Sequence, residues 1–124
     1  MSARQVIEVR LPAERALLLG APRKGSRDAQ EVEEHLDELA RLTDTAGAEV
    51  VGRIIQVGAA PTPEFYIGKG KVEEVGRRMV ELGATLAIFD EELSPRQGKH
   101  LEDALKTRVM DRAELILDIF AHRA

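Results

Sequence analysis

Three times in this chain a short apolar run is followed by a short oxygen-bearing side chain that has Glu or Gln three residues after it. The pairs are Asp28 with Glu31, Ser94 with Gln97 and Asp111 with Glu114. At that spacing the first side chain accepts from the backbone N–H three residues on. The second reaches back to the N–H of the first, so the pattern marks a helix start. A helix start behind an apolar run is a strand–helix unit. Such units in series leave few solutions, because right-handed crossovers build a parallel sheet covered by helices on both faces.

The rest of the chain fits that frame. "RALLLG" (15–20) predicts a buried strand, and "APRKGSRD" (21–28) a loop. Val32, Leu36, Leu39 and Thr43 recur at helical spacing, so a helix is expected over about 29–46, with Gly47 in left-handed backbone at its end. "AEVVGRIIQV" (48–57) predicts a strand in which Gly52 marks a bulge or a close backbone approach. A long loop is expected over 58–71. Val72, Val75, Met79 and Leu82 then form an apolar stripe that stops at Gly83.

"ATLAIFD" (84–90) predicts a third strand. A helix follows from Pro95 to about Lys106, and "RVMD" (108–111) is a fourth strand. The last helix runs from Arg112 to the end and is apolar nearly all round, which suits a helix packed on two sides. The expected fold is α/β: a small open, mainly parallel four-stranded sheet with helices on both faces, in β-α-β-α-β-α-β-α order. Residues 1–13 are expected to form an N-terminal extension and 14–111 the α/β domain. Residues 112–124 would start a helix leading out of it.

Composition excludes several classes of function. The 124 residues include no cysteine, so disulfides, thiolate metal sites and a cysteine nucleophile are ruled out. No apolar run approaches the roughly 20 residues of a membrane helix. The opening "MSARQVIEVR" lacks the apolar core of a signal peptide, so no membrane association and a cytoplasmic setting are expected. The net charge is −4, and any nucleic-acid contact must therefore be local to one loop or face.

The stretch "YIGKGKVEEV" (66–75) carries the main chemical question. A phosphate loop of the G-x-x-x-x-G-K-[ST] type would align its G-K with Gly70 and Lys71. Phe65 then stands where the first glycine belongs, and Val72 where a hydroxyl should hold magnesium. The G-x-G-x-x-G pattern fails as well, at Glu73. What remains is Gly68 and Gly70, permissive backbone leading into a helix start whose free N–H groups can hold an anion. Lys69 and Lys71 add charge, and Glu73 and Glu74 oppose it in the expected first turn. A mobile turn with two solvated lysines explains the same residues.

Other candidates have plainer readings. "DEEL" (90–93) puts carboxylates after a strand, where α/β proteins often bind ligands. The plainer account has Asp90 ending the strand, Glu91 and Glu92 solvated, and all of them favouring the next helix start. Arg23, Lys24 and Arg27 could meet phosphate or form a solvated loop. His35, His100 and His122 show no metal-ligand spacing, and Ser94 and Asp111 read as helix caps.

Three blocks in order, "YIGKGKVEEV", "FDEELSPRQGKHLEDAL" and "VMDRAELILDIFAHRA", resemble the N-terminal domain of the HflX-type GTPases, over about 15–124. Gly68, Gly70, Lys71, Glu73 and Glu74 match the glycine loop of that family. Asp90, Glu92, Leu93, Ser94, Pro95, Gln97 and Leu101 match its second block. Asp111, Arg112, Leu115 to Phe120, Arg123 and Ala124 match its third. Lys99 and His100 depart from the pattern of many relatives, and Gly98 lies inside an expected helix.

The resemblance implies an α/β domain, then a helical hairpin, then a G domain that uses GTP and magnesium. Only the first part is present here, so this chain alone would be non-catalytic and hold no cofactor or metal. The implied partners are the large ribosomal subunit with its RNA and the parent protein's own G domain. The implied role is splitting or rescue of stalled ribosomes. The RNA or anion contacts would fall on Gly68, Lys69, Gly70, Lys71, Arg23 and Lys24. ATP binding, known for some members, would use the same 66–71 loop, and a dimerisation module acting through the last helix is a third reading.

Overall fold

The computed structural model describes residues 14–23, 25, 28–58 and 60–122. The expected extension at 1–13, and Lys24, Arg27, Arg123 and Ala124, lie outside them. Eight elements alternate: β1 (Arg15–Gly20), α1 (Ala29–Thr45), β2 (Glu49–Ile55), α2 (Lys69–Leu82), β3 (Leu86–Phe89), α3 (Pro95–Leu105), β4 (Arg108–Asp111) and α4 (Arg112–Ala121). The four strands run parallel in the order β2-β1-β3-β4.

Strand alternation divides the core between the two faces. Leu17, Leu19, Ala87, Phe89 and Val109 point to one side, where they meet Val72, Val75 and Met79 of α2 and Leu101 of α3. Ala16, Leu18, Leu86 and Ile88 point to the other, onto Val32, Leu36 and Leu39 of α1 and Leu115 of α4. All strands are parallel and each helix follows a strand, so all four helices begin at the same edge of the sheet.

The expected caps form. Asp28, Ser94 and Asp111 each accept from the N–H three residues on, and the Glu31, Gln97 and Glu114 side chains accept from the cap N–H groups. Gly47 has φ of 93° and Gly83 of 65°, the left-handed backbone that ends α1 and α2. Gly52 meets both expectations. The pairing of β1 with β2 shifts there, Ala16 facing Val50 and Leu17 facing Gly52. A Cβ on Gly52 would also stand 2.9 Å from Leu82 Cδ1.

Three boundaries move. The second and third strands are shorter than 48–57 and 84–90, although Gln56, Thr85 and Asp90 just outside them still donate backbone hydrogen bonds to β1. The helix expected from Val72 begins at Lys69, with Gly68 as its cap in extended backbone (φ −71°, ψ 158°). The 58–71 loop is therefore shorter, and Lys69, Gly70 and Lys71 belong to a helical turn. Glu73 and Glu74 fall in the second turn, so no acidic residue stands in the first. The final helix buries one residue, Leu115, with Ile119 packed at the edge of the α1-side core. Leu117 and Phe120 are 67% and 62% exposed. Among the described residues no helix is long and apolar enough to cross a membrane.

Candidate functional site

In a parallel sheet ordered β2-β1-β3-β4, the chain leaves β1 toward β2 on one face and returns to β3 on the other. The loops after β1 and β3 thus part, and a crevice opens between them at the edge where the helices begin. This is where open α/β sheets bind ligands. An open crevice of about 820 Å³ lies there, walled by Pro22 and Arg23 on one side and by Asp90 to Pro95 on the other. Tyr66, His35, Glu38 and Arg112 complete it.

The "DEEL" segment is bonded to three separate parts of the fold. The Asp90 side chain is only 4% exposed and is gripped by Arg112, whose Nε donates to Asp90 Oδ1 across 2.8 Å and whose Nη2 donates to the same oxygen. Glu91 Oε1 accepts from the Ala21 N–H at 2.9 Å. The Leu93 N–H donates to Asp111 Oδ2 at 2.9 Å. Asp90 follows the last residue of β3 as expected, but the expectation that Asp90 and Glu91 favour the next helix start, and that Glu91 is solvated, is corrected, because their partners lie on α4 and on the loop after β1. Within this segment only Glu92 is exposed.

Arg112 is the residue that sequence reasoning missed. Besides Asp90, it reaches Glu38 Oε1 through Nη1 (3.0 Å) and the His35 carbonyl through Nη2 (3.0 Å). His35 Nδ1 lies 3.7 Å from Asp90 Oδ2. The partners of Arg112 are 22, 74 and 77 residues away in sequence. No local pattern announces such contacts.

The glycine–lysine stretch lies outside the crevice lining. Gly68 has φ of −71° and Gly70 lies inside the helix, so neither uses the left-handed backbone that would form an anion nest. What the stretch offers is a helix start without a side-chain cap, and no side chain crowds either glycine within 4 Å. Lys69 is exposed there. Lys71 is 19% exposed and its ammonium lies 3.0 Å from Glu74 Oε1, so the two lysines are not equivalent. Arg23 is exposed at the crevice rim, apart from both.

The loop before α2 is braced against α3. Thr62 and Tyr66 exchange backbone hydrogen bonds, the Gln97 Nε2 donates to the Thr62 carbonyl at 2.8 Å, and His100 Nδ1 contacts the Glu64 carbonyl at 3.1 Å. These bonds hold Tyr66 at φ of 70°, an uncommon backbone for a bulky residue. Its nearly buried ring lines the crevice.

A family model described as the N-terminal domain of GTP-binding GTPases matches residues 33–121. The chain belongs to that family. Its relatives include the GTPase HflX of Lacrimispora saccharolytica, 45% identical over 120 residues that make up 97% of this chain and 28% of that protein. The GTPase HflX of Escherichia coli K12 is 42% identical over 91 residues, 73% of this chain and 21% of that protein. The HflX-type resemblance of the three sequence blocks is therefore confirmed, and the chain spans about a quarter of the length of these relatives. A solved GTP-binding protein from Sulfolobus solfataricus, in complex with GDP, has the same fold. It aligns at a TM-score of 0.63 and 23% identity, over 87% of this chain and 30% of that one.

The residues of this GTPase N-terminal domain do not fit a GTP–magnesium site of the phosphate-loop type. Val72 is buried in the core where the magnesium-binding hydroxyl would stand, and Phe65 replaces the first glycine. Among the described residues no group of three His, Asp or Glu side chains could hold a metal ion.

Proposed function

We propose that this chain is the ribosome-docking domain of an HflX-type GTPase, acting in the cytoplasm on large-subunit RNA. In the parent protein a G domain would bind GTP and magnesium and supply the hydrolysis, so that stalled ribosomes are split or rescued. This domain would contribute grip and position and no catalytic group.

The observation that carries the reading is the start of α2. Lys69 is exposed in a first turn with no carboxylate and no side-chain cap, so one turn carries both backbone donors and a cationic side chain. Both favour a phosphate oxygen. Membership of the GTPase family supports the rest. Replacing Lys69 and Lys71 by alanine together should weaken binding to purified large subunits. It should also flatten the salt dependence, by a slope of about one for each phosphate no longer neutralised. Binding and slope equal to those of the unaltered chain would remove this turn from the interface.

A second reading uses the same turn for ATP. Nothing crowds Gly68 or Gly70 within 4 Å, so a phosphate could approach the backbone there. Amide shifts from Gly68 to Val72 on adding millimolar ATP would support it, and unmoved amides would exclude it.

A further inference from the structure

We infer that the Asp90–Arg112 pair is a latch that sets the pose of α4, and that the crevice is where the latch is reached. Arg112 is the first residue of α4, and its guanidinium joins that helix to two other bodies: the end of β3 through Asp90, and α1 through Glu38 and the His35 carbonyl. Asp90, His35, Glu38 and Arg112 all line the crevice. The neighbouring cap, Asp111, binds the Leu93 N–H, so both residues at the start of α4 hold the same crevice wall.

The chemistry suits a catch better than a rivet. A cation in the first turn of a helix stands at the positive end of the dipole, so Arg112 is not there for the stability of α4 itself. A partly buried ion pair adds little to stability compared with well-packed apolar groups, and breaking it from one side is costly. Elsewhere α4 is lightly held. Leu115 is its one buried residue, Ile119 is half-covered, and Leu117 and Phe120 face outward. A cation delivered into the crevice would compete with Arg112 for Asp90 and Glu38, and α4 would be the element freed.

Hydrogen exchange on the full 124-residue chain tests this, comparing amides of Ile116 to Ala121 in α4 with those of Leu17 to Leu19 and Ala87 to Phe89 in the sheet. Arg112→Met and Asp90→Asn should speed exchange in α4 by about tenfold or more while the sheet amides keep their protection, as expected of a local opening. If these buried variants fail to fold, the exposed partner serves instead. Glu38→Gln should loosen α4 in part, and Glu38→Lys, which places a competing ammonium beside Asp90, should loosen it more. Unchanged α4 protection in Glu38→Lys and in whichever buried variants fold would overturn the latch, and so would α4 and the sheet losing protection together.

Discussion

Gly20, the last residue of β1, faces Val32 of α1 so closely that a Cβ on the glycine would lie 2.9 Å from Val32 Cγ1 and 3.3 Å from Leu36 Cδ1. Both neighbours are buried and held by the α1-side core. The start of α1 can therefore lie directly on the end of the strand. Gly20→Ala forces one of them to move, and it should cost about 1–3 kcal/mol, the usual range for overpacking. A lowered urea midpoint at unchanged slope would show it.

Gly98 presents the opposite case. It lies within α3, and a Cβ there would meet nothing within 4 Å. Gly98→Ala should raise stability by about 0.5–1 kcal/mol, because alanine loses less backbone freedom in a helix. The same urea titration checks it, with the midpoint moving the other way.

Gln97 holds two structures at once. Its Oε1 accepts from the Ser94 N–H in the cap of α3, and its Nε2 donates to the Thr62 carbonyl in the loop before α2. Gln97→Glu keeps the cap and removes the donor, setting a carboxylate against a carbonyl. Stability should fall by about 1–2 kcal/mol. Amide exchange should quicken at Phe65 to Ile67 while the start of α3 stays protected.

The lysines of the α2 start should separate under single substitution. Lys69 is exposed, whereas the Lys71 ammonium is already paired with Glu74. If the turn contacts RNA phosphate, Lys69→Ala should lower the salt slope of large-subunit binding by about one, and Lys71→Ala should lower it by much less. Equal effects would mean that the Glu74 pair opens on binding.

These contrasts show which parts of the molecule local sequence controls. β1 and β4 and the three capping boxes were legible because each depends on residues within a few positions of one another. Gly52 was legible as special because only a missing side chain tolerates both the register shift and Leu82. The start of α2 falls three residues ahead of its apolar stripe, where Lys69, Gly70 and Lys71 carry no capping side chain to announce it. Tyr66 could not be anticipated, since its left-handed backbone is imposed by Thr62 and the loop around it. At the crevice, "DEEL" was recognisable as chemically rich. Its partners Ala21, Asp111 and Arg112 come from distant segments, and tertiary structure alone joins them.

Because every helix begins at one edge of an all-parallel sheet, their peptide dipoles point the same way. Each brings a partial charge of about half an elementary unit to that edge. Asp28, Ser94 and Asp111 cap three of these ends, the two aspartates with a negative charge, and the fourth, at Gly68, has no side-chain cap. An overall acidic molecule thereby acquires a front and a back. At that edge the start of α2 stands apart from its three neighbours, because its first N–H groups meet no capping side chain, and the reach of that bare end is about one helical turn.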